Sequence, residues 1–169
     1  TGQNPKTLFI GCSDSRVDPA ILTSSAPGDL FVIRNVANLV PPFEKNAQGF
    51  RGTSSAIEFA VNGLKVENIL ILGHRQCGGI RALMTGHRQE TESFIGPWMS
   101  IAEDARIEVL KQHPNGDDDT LCRAAEMESI KVSIRNLMTF PFVKDAVEAK
   151  TLTIIGLYFD LERGELWQY

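Results

Sequence analysis

Clusters of basic residues, long hydrophobic runs and paired cysteines are what this chain lacks, and each absence excludes something. Lys and Arg number 17 against 21 Asp and Glu, for a formal charge of −4, and no stripe of bases is present that could track phosphates, so nucleic acid is not expected as a partner. No segment approaches the roughly 18 uninterrupted apolar residues that a membrane-spanning helix needs; the chain reads as a soluble protein with no membrane partner. Only three cysteines occur, an odd count that makes no disulfide framework and suits a reducing compartment where thiols stay free for metals or catalysis. Glycine, proline and aromatic residues show no low-complexity or disordered bias. What is present is 169 residues, 43% of them hydrophobic, the size of one compact domain spanning 1–169. The first residue is Thr and the apolar pattern begins almost at once, which reads as a trimmed upstream segment; the expected compartment is the cytoplasm, or an organelle if a transit peptide has been removed.

Short apolar runs alternate with segments of helical period. Thr7–Gly11, Leu30–Ile33, Ile69–Leu72 and Leu152–Phe159 lack polar alternation, as strands covered on both faces do. Ile57, Ala60, Val61 and Leu64 repeat at i, i+3, i+4 and i+7 behind Ser55–Glu58, which has the spacing of a capping box. Phe94 to Val109 marks a second helix and Met127 to Met138 a third, separated by a polar break in which Asp117, Asp118 and Asp119 read as a solvated loop. After a turn over Asp160–Gly164, Glu165-Leu166-Trp167 can pair back as an antiparallel edge strand. Strands alternating with helices predict an α/β fold, a mostly parallel central β-sheet flanked by helices with that C-terminal antiparallel edge strand. Ligands in such sheets collect outside the carboxyl ends of the strands.

Two of those ends carry unusual chemistry. The first strand closes in Cys12-Ser13-Asp14-Ser15-Arg16 and the third in His74-Arg75-Gln76-Cys77-Gly78-Gly79. If the two strands are close in the sheet, two thiolates and an imidazole converge, and Cys₂His is a zinc donor set found in catalytic sites when water takes the fourth position. Asp14 beside Arg16 is held ionised, so it can accept a hydrogen bond from a metal-bound water or take the fourth position itself. Sequence spacing leaves both open: a working centre, or a closed structural zinc in a binding protein. Gly78-Gly79 either closes a turn or opens a helix whose free N–H groups receive an anion. Cys122 reads as core, and His87 and His113 as solvent-exposed. A cysteine phosphatase would need its Arg further from Cys12, and neither the H-x-E signature of zinc deaminases nor the G-x-G-x-x-G of dinucleotide sites is present.

Taken in order, Cys12-Ser13-Asp14-Ser15-Arg16, Arg34-Asn35-Val36-Ala37-Asn38, Val40-Pro41-Pro42, Glu58-Phe59-Ala60-Val61, the His74-x-x-Cys77 segment and Gly156-Leu157-Tyr158-Phe159-Asp160 resemble a β-class carbonic anhydrase of the plant-like subgroup over nearly the whole chain. The resemblance implies one Zn²⁺ per subunit on Cys12, His74 and Cys77, no organic cofactor, and reversible hydration of CO₂ to bicarbonate and a proton, the metal-bound hydroxide being oriented by the Asp14–Arg16 dyad. It implies a substrate pocket from Gln3, Phe31, Val36, Phe59 and the Gly78 N–H, partly supplied by a second subunit, and hence a homodimer or higher even-numbered homo-oligomer; exposed apolar character in Leu39–Phe43 agrees with association. Hydrolysis of CS₂ or COS on the same scaffold is the alternative activity. Phe59 and Gly63 stand where plant-type members commonly carry Tyr and often His, so no relay for proton export is implied there. Phe9 and Phe159 stand where bicarbonate-regulated members carry Trp and Tyr, which predicts Asp14 paired with Arg16 near neutral pH. The family's N-terminal helices, which clasp the dimer, would lie upstream of Thr1.

Overall fold

The computed structural model describes residues 2–45, 49–86 and 94–169. Its framework is a five-stranded sheet in the order β2-β1-β3-β4-β5, built from β1 (Thr7–Cys12), β2 (Leu30–Asn35), β3 (Asn68–His74), β4 (Thr153–Asp160) and β5 (Glu165–Gln168). The first four are parallel and β5 runs antiparallel to β4, the arrangement expected. Around it lie α1 (Pro19–Thr23), α2 (Gly52–Glu58), α3 (Gly78–Thr85), α4 (Ile95–Met99), α5 (Glu103–Gln112), α6 (Asp118–Leu137) and α7 (Pro141–Glu148).

The chain leaves β1 toward β2 on one side and returns to β3 on the other. That reversal opens a crevice at the carboxyl ends of β1 and β3, where open α/β sheets take their ligands. Register brings the two ends level, since Ile10 lies between Ile33 and Ile71 and Gly11 pairs with Leu72. Leu8 and Ile10 point into the larger core with Ile57, Ile69, Ile71, Ile130 and Tyr158, whereas Phe9 points to the other face with Val17 and Leu72. Double coverage holds for β1 but not for every strand. On β4 only Gly156, Tyr158 and Asp160 are buried, and the edge strand β2 buries Ile33 alone, because the larger core gathers on one face while Leu22 of α1 packs with the smaller cluster on the other.

Helix α6 is seated by two glycines. A Cβ at Gly73 would fall 2.8 Å from Ile130 Cδ1 and one at Gly156 2.8 Å from Ile130 Cγ2. The absence of side chains there lets Ile130 sit directly on β3 and β4. The buried stripe of α6 includes Cys122, Ala125, Glu126, Ser129, Ile130, Ser133 and Leu137, so Cys122 is core as expected.

Several local expectations need correction. Helix α2 starts at Gly52, and Ser55 already lies inside it with its N–H bonded to Arg51 O at 2.9 Å, so Ser55–Glu58 makes no capping box. The helix then widens into a π-helical turn over Phe59–Gly63, with Leu64 N–H on Phe59 O; the extra residue shifts the helix face, leaving Phe59 exposed and Ala60 and Val61 buried. The Asp117–Asp119 run is the start of α6 rather than a loop: Asp117 accepts the Thr120 N–H, and Asp118 and Asp119 occupy the first turn, where carboxylates are favoured by the helix dipole. The predicted helix over Phe94–Val109 is interrupted by a 3₁₀ turn at Ser100–Ala102. Leu39 and Val40 are core rather than surface, and His113 is half-buried; His87 lies outside the described residues.

Candidate metal centre

Cys12 ends β1, His74 ends β3 and Cys77 sits at the entrance to α3. The three meet as buried residues whose donor atoms all lie within 4.8 Å of one another. The Cys12 and Cys77 sulfurs are 4.0 Å apart, close to the roughly 3.8 Å that two Zn–S bonds of about 2.3 Å subtend at a tetrahedral angle. The His74 ring nitrogens divide their work. Nδ1 lies 2.9 Å from the Arg75 carbonyl, which only accepts, so Nδ1 carries the hydrogen and Nε2 presents a lone pair. Nε2 is buried with no hydrogen-bond partner of normal geometry. An orphaned imidazole nitrogen facing two sulfurs fits a soft divalent metal and fits little else, since an unpaired buried acceptor costs free energy.

The thiols divide in the same way. The hydrogen bond from Cys77 draws the Cys12 thiol far below its ordinary value, with His74 and the Asp14 N–H adding to it, while the partner thiol Cys77 is pushed well above by that interaction and by burial. Burial opposes a charge on His74, but the adjacent Cys12 sulfur outweighs it and raises the imidazole.

Asp14 and Arg16 stand on the solvent side of this cluster. The guanidinium grips the carboxylate with Nε to Oδ1 at 2.9 Å and Nη2 to Oδ2 at 2.7 Å, and the Arg16 N–H adds a third bond at 3.0 Å. That grip holds the Asp14 carboxyl far below the usual carboxylate range. Asp14 Oδ2 is 3.9 Å from His74 Nε2, beside the cluster and outside bonding range. Arg16 is anchored by the Gln76 carbonyl at 3.1 Å. Arg34, from β2, donates to the Cys12 and Asp14 carbonyls at 3.0 and 2.7 Å and so clamps the loop that carries the dyad.

The remaining pocket residues fall into two groups. Val36 packs beside the start of α3: a Cβ on Gly79 would meet its Cγ1 at 2.8 Å, while Gly78 faces open space at the first position of α3. Phe31 and Phe59 stack on one another with centroids 5.8 Å apart. Phe31 is paired with Leu8, roughly 13 Å along the strand from Cys12, and Phe59 is half-exposed. Gln3 is exposed ahead of the amino end of β1. Within one chain these three do not reach the cluster.

Sequence reading missed Arg34, Gln76, Glu126 and Tyr158 as parts of the site. Glu126, on α6, accepts the Cys77 N–H at 3.0 Å and the Tyr158 hydroxyl at 2.8 Å; burial pushes its carboxyl up and, together with the charge of Glu126, pushes the Tyr158 phenol up. The signal available was a single carboxylate at i−4 from Ile130, on an otherwise buried helix face.

Fold and site together define an α/β protein with a buried Cys₂His donor set, of the kind that holds a metal, at the switch point of its sheet. The carbonic anhydrase family model matches residues 7–166, and the chain belongs to the β-carbonic anhydrase family. It is 42% identical over 161 residues to the protein named beta carbonic anhydrase 6, mitochondrial, of Arabidopsis thaliana, covering 94% of this chain and 54% of that one, so it spans about half the length of this curated relative. Among solved structures it resembles the β-carbonic anhydrase CcaA, at a TM-score of 0.92 and 36% identity over 99% of this chain and 74% of the other. It also resembles a β-carbonic anhydrase from Sordaria macrospora described as tetrameric, at a TM-score of 0.81 and 30% identity over 99% of this chain and 81% of that one.

Proposed function

We propose that this chain catalyses the reversible hydration of CO₂ to bicarbonate and a proton, with one zinc ion held by Cys12, His74 and Cys77. The observation that carries the reading is the buried Cys₂His cluster with an unpartnered His74 Nε2, flanked by a carboxylate already committed to an arginine. Zinc bound to such a set supplies Lewis acidity, which lowers the pKa of water to about 7 in the best-known zinc hydratase.

The protein's own groups do the rest. Asp14 accepts a hydrogen bond from the attacking oxygen and so turns its lone pair toward the carbon, and Arg16 keeps that carboxylate aimed and ionised. A third anionic ligand would leave Arg16 without its partner, which supports Asp14 staying off the metal near neutral pH. The side chain of Val36 offers an apolar wall for CO₂, and the Gly78 N–H at the start of α3 receives a substrate oxygen. Water adds to carbon, bicarbonate departs, and the proton passes to buffer without a side-chain relay at Phe59 or Gly63.

Phe31, Phe59 and Gln3 serve the site of a second copy in this reading. The exposed ring of Phe59, set against the partly buried Phe31, and the exposure of Gln3 support it, as does the tetramer described for the Sordaria relative. An organelle is the compartment that the mitochondrial name of the Arabidopsis relative supports.

One preparation tests the proposal: metal content, CO₂ hydration by stopped flow, and CS₂ and COS hydrolysis. Stoichiometric zinc with hydration, and a loss of about 10- to 100-fold in Arg16→Ala at unchanged zinc content, is the expected result. Zinc at one per chain without hydration would overturn it, in favour of a sulfide hydrolase if CS₂ or COS is turned over and of a zinc-stabilised binding protein if neither is.

A further inference from the structure

Under the loop that carries Cys77 lies a buried carboxylate that the proposed chemistry does not use. Glu126 is 3% exposed. One oxygen accepts the Cys77 N–H at 3.0 Å and the other pairs with the Tyr158 hydroxyl at 2.8 Å. Tyr158 is itself fully buried in β4, its ring tilted on Trp167 with centroids 5.7 Å apart. Three elements that are distant in sequence, the β3–α3 loop, α6 and β4, therefore meet at one carboxylate.

The placement of Glu126 follows from the fold. Ile130 locks α6 over Gly73 and Gly156, and residues four apart share a helix face. Glu126 is one turn before Ile130, which sets it under the peptide leading from β3 into α3. That peptide is not relaxed. Gln76 has φ of 56°, a left-handed conformation that is strained for a non-glycine residue and persists only where its surroundings impose it. The surroundings are visible on both sides: outside, Arg16 donates to the Gln76 carbonyl at 3.1 Å; inside, Glu126 holds the next N–H. With the carboxylate removed, the Cys77 N–H would be a buried donor without a partner, and the loop would gain by relaxing toward solvent.

We propose that Glu126 is a positioning residue for the metal centre: by accepting the Cys77 N–H it fixes the turn that aims the Cys77 sulfur at Cys12 and His74 Nε2, and Tyr158 holds the carboxylate in place for that task. The inference rests on the reading that the cluster binds zinc. Glu126 touches neither substrate nor the donor atoms, and it acts through the backbone of the β3–α3 loop at Gln76 and Cys77. Partners of this kind, one bond removed from a metal, change affinity by about 10- to 100-fold when lost.

The test uses the folded zinc-loaded protein and Glu126→Leu, Glu126→Gln and Tyr158→Phe. Zinc affinity is read by competition with a chromophoric chelator, and thiolate geometry by the sulfur-to-cobalt charge-transfer and d–d bands of the Co²⁺-substituted forms. Glu126→Leu is expected to weaken zinc about 10- to 100-fold with altered cobalt bands, Tyr158→Phe to weaken it less in the same direction, and Glu126→Gln, which keeps an oxygen for the Cys77 N–H, to bind close to wild type. Unchanged affinity and spectra in Glu126→Leu or in Tyr158→Phe would overturn the proposal. Equal losses in the Gln and Leu variants would do so too, because charge rather than the N–H acceptor would then be at work. If Glu126→Leu does not fold, Tyr158→Phe, which removes one oxygen, decides the matter against the Gln variant. Metal affinity is independent of turnover: a wild-type protein that binds zinc without hydrating CO₂ would refute the proposed activity and leave this inference intact.

Discussion

Two adjacent glycines at the entrance to α3 should respond to the same substitution with opposite signs. A methyl at Gly78 meets nothing within 4 Å, whereas one at Gly79 would sit 2.8 Å from Val36 Cγ1, 3.2 Å from Ala37 Cβ and 3.2 Å from Met99 Sδ. Neither glycine has a positive φ, so backbone strain does not enter and space alone decides. Gly→Ala at a compatible position stabilises by about 0.4–1 kcal/mol through the unfolded chain. At Gly79 the same gain is opposed by overpacking of about 1–3 kcal/mol, because Ala37 is fully buried and Met99 nearly so and neither can retreat. The expected separation between Gly78→Ala and Gly79→Ala is about 2 kcal/mol, or roughly 4–8 °C in Tm for a chain of this size. Thermal unfolding at matched zinc and protein concentration measures it, since ligand and association shift the midpoint by mass action. Gly78→Ala should raise KM for CO₂ while gaining stability, as its methyl enters the open space beside the centre. A Gly79→Ala protein as stable as Gly78→Ala would refute the packing argument.

Cys77→Ser and Cys12→Ser should lose most bound zinc by elemental analysis and Cys122→Ser should keep it, since Cys122 is buried on α6 away from the cluster. Asp160 is buried and, although burial works against it, the N–H groups of Glu162 and Arg163 and the guanidinium of Arg75 lower its pKa. A depressed carboxylate contributes stability above its unfolded pKa of about 3.9 and loses it as pH falls; the urea midpoint of Asp160→Asn should lie below wild type at pH 7, and the gap should shrink below about pH 4. Sedimentation at micromolar concentration should show at least a dimer, and Phe59→Asp, which puts a charge on the half-exposed ring beside Phe31, should shift it toward monomer.

The strand runs, their mostly parallel order and the antiparallel end were legible in the sequence because β1 and β3 are continuous apolar runs and parallel neighbours need the crossover connections that helices usually supply. The donor residues were legible too, since Cys, His and Cys at two strand ends have few alternative uses. Helix starts were less so: Asp117 caps α6 where a run of three Asp suggested a loop, and Ser55 was in mid-helix despite its capping spacing. Spacing within a segment does not say which residue comes first to the sheet. What tertiary structure alone decided is how the Asp14–Arg16 pair and Cys77 are supported. Both depend on groups from other elements, the Gln76 carbonyl behind Arg16 and the Glu126–Tyr158 pair beneath the β3–α3 turn, and they meet there because α6 closes down on the side-chain-free Gly73 and Gly156. Local pattern carries burial and period; which polar groups end up facing each other is set by packing between segments far apart in the chain.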